Sequence, residues 1–228
     1  SAEDYAAGHV LYSINTPWGT AISDNLDKLP ADETIYVYCY SGQTAGQTVA
    51  LLNIAGFDAK SVKFGWNFGI SKVEGVDEAT ETVANEFAEV DPLDISTVIG
   101  TAVKGHFEGL ADVSDGTYKN YMISPENANK LIGDDSIVFL SIRSGDDFAQ
   151  GHIEGAINIP WGKDMQEDFD VLPMDKTIIV YCYSGQTAAQ TIAAMRLMGY
   201  DAVSLTGGMG VEANVPIGWV NSGYELAK

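Results

Sequence analysis

The chain has 228 residues, 46% of them hydrophobic and 19% charged, a balance that excludes a disordered protein and leaves room for two domains of about 100 residues each. Against 12 Lys and Arg stand 32 Asp and Glu, a formal net charge of −20. Such a surface repels phosphate backbones and anionic lipid, which excludes nucleic acid as a partner. No apolar run of bilayer-spanning length is present, so no membrane-spanning segment is expected.

In chain order, "IYVYC" (Ile35 to Cys39) is an apolar run of buried-strand type. A glycine-containing loop follows, and then "AGQTVALLNIAG" (Ala45 to Gly56), a helical pattern closed by glycine. "AKSVKF" (Ala59 to Phe64) reads as a second short strand. Between Ser71 and Tyr121 the acidic stretch "VDEATETVANEFAEVDP" (Val76 to Pro92) is expected as a surface helix. After it, Ile95, Val98, Ile99, Val103 and Phe107 recur near helical spacing, which predicts a helical connector. "SPENANKLIG" reads as a helix capped by Ser124, with Pro125 in its first turn and Gly133 at its end. "SIVFLSI" (Ser136 to Ile142) is an apolar run of strand length.

Beyond Ile142 the chain repeats itself. "VYCYSGQTA" occurs at Val37 to Ala45 and again at Val180 to Ala188, an offset of 143 residues. At that offset "INTPWG" (Ile14 to Gly19) meets "INIPWG" (Ile157 to Gly162), and about half the positions from Ser1 to Asp58 are identical to Ser144 through Asp201. A period this long means duplicated domains, not a solenoid. Strands alternating with helices imply an α/β fold, each copy a parallel sheet flanked by helices. The expected division is 1–75 for the first domain, 76–120 for the connector and 121–228 for the second domain. The first copy begins at the residue matching Ser144, so it lacks the helix and strand that precede Ser144 in the second. Loss of a preceding segment is the favoured reading; the alternative is a strand supplied from elsewhere.

The two copies hold the chain's 2 cysteines, Cys39 and Cys182, each between a strand and a helix. Ligands of open α/β sheets bind at that end of the strands. The backbone of Tyr40, Ser41, Gly42, Gln43 and Thr44, and of Tyr183, Ser184, Gly185, Gln186 and Thr187, is expected to curl so that N–H groups point at the sulfur. Gly42 and Gly185 permit the positive φ this needs. Such a setting favours the thiolate, the nucleophilic form. A lone cysteine is often a small core hydrophobe, but both copies keep the loop while their surroundings have drifted, which points to reactive thiols.

Strand, cysteine, loop and helix, preceded by "DFAQGHIEGAINIP" (Asp147 to Pro160), resemble a rhodanese-like sulfurtransferase. "SIVFLSIRS" is similar to the Asp-Val-Arg strand of that family, keeping Arg143 but carrying Ser141 where Asp is usual. The resemblance implies a tandem rhodanese-like protein that moves sulfane sulfur through a cysteine persulfide on Cys39 and Cys182. The donor would be thiosulfate, polysulfide or a protein persulfide; the acceptor would be a thiol, a thiol protein or cyanide. No cofactor and no metal are implied, and Arg143, Trp18 and Trp161 are candidates to stand behind the loops. In the resembled fold His9 and His152 are structural. The loops contain no Lys or Arg, whereas family members that use thiosulfate commonly place cations there, so polysulfide or a protein persulfide is at least as well suited.

Other readings are open to the same residues. A phosphatase or arsenate reductase would need a longer loop closing on Arg, and Ala45 and Ala188 stand after Thr instead. A non-enzymatic sulfur-carrier or protein-binding module would use the loops for recognition only. A Cys39–Cys182 disulfide would need both loop faces to meet. Strong acidity and scarce Lys favour the bacterial envelope or an extracellular setting over the cytoplasm.

Overall fold

The computed structural model describes Ser1 through Lys228. The first half runs α1 (Ala2–Ala7), β1 (His9–Val10), α2 (Thr20–Ser23), β2 (Thr34–Val37), α3 (Gln43–Ala55), β3 (Asp58–Ser61) and β4 (Thr80–Glu81). After α4 (Thr97–Glu108), the second half runs β5 (Met122–Ile123), α5 (Pro125–Asn129), β6 (Ile137–Ser141), α6 (Gly145–Gln150), β7 (Ile157–Asn158), β8 (Thr177–Tyr181), α7 (Gln186–Leu197) and β9 (Ala202–Leu205). No helix is long and apolar enough to cross a membrane.

The second half is built on a parallel sheet of 5 strands, ordered β5-β9-β8-β6-β7. Its central strands β6, β8 and β9 are the apolar runs, buried on both faces as parallel strands are. The first half keeps only the parallel pair β2-β3, with β1 and β4 forming a separate antiparallel pair. No strand of the chain lies against β2 where β6 lies against β8, and Tyr36 on β2 is exposed. The cores differ accordingly. That of the second half gathers 23 buried residues; that of the first gathers 11, and three of those, Val103, Phe107 and Ala193, come from α4 and α7.

The connector departs from expectation. Val76–Ala79 makes one 3-10 turn, and residues 82–96 run without regular structure. Tertiary bonds override helix propensity there. Asn85 donates its backbone N–H to Tyr5 Oη (3.2 Å) and its side-chain amide to the Ser13 carbonyl (3.0 Å), while Leu93 and Ile95 pack on the first core. Pro92 and the β-branched residues around Thr82 add to the bias against helix. The helical spacing after it does form α4, capped by the Ser96 hydroxyl. Val103 and Phe107 face the core, but Val98 points to solvent. α5 begins at Pro125 under the Ser124 cap and ends at Asn129, short of Gly133. In α3 and α7 the two copies make their main contact, the helices packing along each other and bringing their N-terminal ends together.

Candidate functional site

Each cysteine follows a parallel strand and precedes the first turn of a helix. Cys39 lies beyond β2 and is half-buried; Cys182 follows β8 and is buried. The Cys39 sulfur accepts the backbone N–H groups of Gly42 (3.1 Å) and Ala45 (3.4 Å), and the Cys182 sulfur accepts that of Gly185 (3.1 Å). Amide dipoles aimed at sulfur, next to the positive end of a helix, favour a negative charge there. Gly42 and Gly185 both hold φ 90°, the left-handed conformation that closes the loop. The backbone N–H groups of Ser41, Gln43 and Thr44, and of Ser184, Gln186 and Thr187, make no bond to another backbone carbonyl.

The loops are pressed from behind by a second glycine each. A Cβ on Gly65 would stand 2.4 Å from the Cys39 carbonyl oxygen, and one on Gly208 would stand 2.6 Å from that of Cys182. Trp66 and Asn67 donate to the carbonyls of Cys39 and Tyr40 (both 2.8 Å), as Met209 and Gly210 do to those of Cys182 and Tyr183 (2.8 and 2.9 Å). The loop-backing role of Gly65 and Gly208 is not legible in either glycine alone, although they are partners at the same 143-residue offset.

Tyr40 and Tyr183 are exposed at the loop mouths, where their hydroxyls donate to the carboxylates of Asp4 and Asp147. Asp147 is held below its ordinary carboxylate value by the Ser144 hydroxyl first and Tyr183 second. The same two kinds of bond lower Asp4, and Asp4 in turn raises the Tyr40 phenol. Thr44 and Thr187 are half-buried, each with its carbonyl bonded to the hydroxyl one turn on (3.0 and 2.9 Å).

Gln43 and Gln186 do not turn toward their own sulfurs. Both are buried, and each carboxamide crosses into the other half of the chain. Gln186 packs against Gly42, and Gln43 against Gly185, so closely that a Cβ on Gly42 would lie 2.2 Å from Gln186 Nε2. The two loops therefore adjoin across the α3–α7 contact; both thiols are free.

Arg143 is buried, its guanidinium donating to the Gly151 carbonyl (2.6 Å) and lying 5.7 Å from the Tyr181 ring. It braces the residue before Cys182 and the end of α6. Trp18 packs edge-on to Phe107 and donates to Asn120 (3.2 Å). Trp161 is exposed and lines a cavity of about 540 Å³ between α3 and α7, with neither cysteine in its lining. His9 stacks on Tyr5 and His152 on Phe148, each ring bonded to a carbonyl one turn back, which is a structural arrangement.

The rhodanese-like domain family model matches residues 1–68 and 124–210, and the chain belongs to that family. It is 34% identical over 73 residues to the thiosulfate sulfurtransferase PspE of Escherichia coli, covering 31% of this chain and 69% of that protein. It is 33% identical over 82 residues to the thiosulfate sulfurtransferase GlpE of Shewanella oneidensis, covering 35% and 80%. Similarity to the mitochondrial protein HIGH ARSENIC CONTENT 1 of Arabidopsis thaliana is 31% over 97 residues, covering 38% of this chain and only 54% of that protein. A solved structure described as a probable thiosulfate sulfurtransferase aligns over 100% of this chain and 94% of its own, at 15% identity and a TM-score of 0.39.

Proposed function

We propose that this protein is a rhodanese-type sulfurtransferase that carries sulfane sulfur as a persulfide on Cys39 and Cys182. The observation that carries this reading is the doubled cradle: each sulfur lies at a strand-to-helix turn and accepts loop amides, in two copies of one loop. The relatives named as thiosulfate sulfurtransferases support the same class of chemistry.

A cysteine thiolate attacks the terminal sulfur of a sulfane donor. The S–S bond of the donor breaks, its remaining part leaves with the electron pair, and a cysteine persulfide forms. With thiosulfate the leaving group is sulfite; with a polysulfide or protein persulfide it is the shortened polysulfide or a thiolate. An acceptor thiolate or cyanide then takes the outer sulfur, and the cysteine thiolate returns. The loop amides stabilise the negative charge that moves between the two sulfurs.

The loops carry no cation and the chain carries a net charge of −20. Both disfavour a dianion, so a singly charged donor, a protein persulfide or the hydrogen-polysulfide monoanion, is proposed over thiosulfate. The test is intact mass after incubation with thiosulfate or with polysulfide. Added sulfur that cyanide removes, and that Cys39→Ser plus Cys182→Ser abolishes, is the expected result. No added sulfur from either donor, with both thiols still open to alkylation, would sink the proposal for these donors and leave a binding module in its place.

A further inference from the structure

The exchanged glutamines tie each sulfur loop to the back of the other. Gln43 Nε2 donates to the Leu205 carbonyl (3.2 Å) and Ser204 Oγ (3.4 Å), while its Oε1 accepts the Gly207 N–H (2.9 Å). Gln186 Oε1 accepts the Phe64 N–H (2.8 Å), and its Nε2 donates to the Val62 carbonyl (3.3 Å). Phe64 and Gly207 are partners in the repeat, as are Val62 and Leu205. One pattern of bonds therefore occurs twice, about an approximate two-fold axis between α3 and α7.

What these carboxamides hold is the segment behind the opposite cysteine. Gly207 leads directly into Gly208, Met209 and Gly210, which press on and bond to the Cys182–Tyr183 backbone. Phe64 leads into Gly65, Trp66 and Asn67, which do the same for Cys39 and Tyr40. Gly207 reaches φ 73° freely, but Phe64 sits at φ 64°, a left-handed conformation that a bulky residue adopts only when held there. Gln186 supplies the bond to its N–H.

We propose that Gln43 is a positioning residue for Cys182 and Gln186 a positioning residue for Cys39, so that each sulfur site is built by the loop of the other. This rests on reading both cysteines as reactive thiols. A change at one loop, including sulfur bound there, then reaches the other through a buried carboxamide and one backbone segment.

The test measures one thiol at a time. Gln43→Met and Gln186→Met keep the side-chain volume and remove the bonds; each is placed in Cys39→Ser and in Cys182→Ser chains, and iodoacetamide labelling is followed by intact mass across pH. The expected pattern is crossed. Gln43→Met changes the labelling rate about fivefold, the worth of one hydrogen bond, and moves the pH midpoint at Cys182 more than at Cys39, and Gln186→Met does the reverse. Phe64→Gly added to Gln186→Met restores the Cys39 profile, because glycine needs no holding at that φ; a loss of packing alone would not be rescued this way. Ser204→Ala, which removes one Gln43 partner without touching the first loop, also acts on Cys182 if Gln43→Met fails to fold.

Effects confined to the cysteine of the substituted loop, equal at both, or absent, would overturn the proposal. Sulfur loading from polysulfide is read on the same samples. A crossed labelling pattern without loading refutes sulfur transfer and keeps the coupling; loading without a crossed pattern does the opposite.

Discussion

Gly46 of α3 faces the backbone carbonyl of Gln186: a Cβ at residue 46 would stand 2.8 Å from that oxygen and 3.4 Å from the Ala189 methyl. Residue 189 is the repeat partner of residue 46, so the helices approach where both carry their smallest side chains. Gly46→Leu forces them apart. An overpacked contact of this kind costs about 2 kcal/mol, to be read as a lower urea midpoint, and an unchanged midpoint would contradict so close an approach.

Cys39 is half-buried with two amides on its sulfur, and Cys182 is buried with one. Access and amide donors favour the same thiol. Iodoacetamide should therefore label Cys39 before Cys182 in the unmodified chain, and peptide mapping of a partly labelled sample would show which came first. Faster labelling of Cys182 would mean that the loops open in solution in a way this geometry does not anticipate.

Removing the Tyr183 hydroxyl takes away the second of the two bonds that lower Asp147. Tyr183→Phe should raise the Asp147 carboxyl toward its ordinary 3.8 while leaving it below, since Ser144 still donates. A depressed carboxyl stabilises the fold above its unfolded-state pKa and loses that effect as pH falls through the folded value. Any stability difference between Tyr183→Phe and the parent should therefore be present near neutrality and vanish in acid. Side-chain carboxyl NMR through an acid titration reads the shift directly, and no movement would mean that the phenol does not bond there.

His106 follows the same sign through a different cause. It is buried, its Nε2 lies 3.2 Å from Gln47 Oε1, and its Nδ1 has no partner. Burial, with Arg196 nearby, pushes the imidazole down from 6.5 to about 4. The unfolded chain takes up the proton first, so stability falls as pH drops from 6.5 to about 4 and levels off below. The parent should lose on the order of 3 kcal/mol over that window relative to His106→Gln. Parallel pH slopes for the two proteins in urea unfolding would rule this out.

Unequal cores imply unequal protection. β2-β3 is a pair whose core of 11 buried residues borrows from α4 and α7, whereas β8 lies between β6 and β9 inside a core of 23. In native-state hydrogen exchange the amides of Ile35 and Val37 should exchange well before those of Ile178 and Val180. Equal protection would show the two halves opening as one unit.

Much of this was legible from the doubling alone. The strand, loop and helix around each cysteine follow from local pattern, and repetition marked the loops as more than core. The destination of Gln43 and Gln186 was not legible, because a side chain in a repeat can serve its own copy or the other, and only the α3–α7 packing decides. Trp18 and Trp161 make the same point: with identical neighbours on both sides, one is covered by Phe107 of α4 and the other is left in solvent. Residues 82–96 misled for a related reason, since bonds such as those of Asn85 to Tyr5 and Ser13 are set by a chain segment far away in sequence.

The open side of β2 gives the acidity of the chain a second meaning. Beyond β3, no strand of the chain pairs with β2; such an edge is one to which another polypeptide can add itself, and the exposed Tyr36 offers an apolar foothold there. Two copies that drift together must first overcome the mutual repulsion of 20 net negative charges on each. Colloidal stability here is thus an ionic-strength matter: in dilute buffer the charge keeps edges apart, and added salt, by screening it, removes that guard.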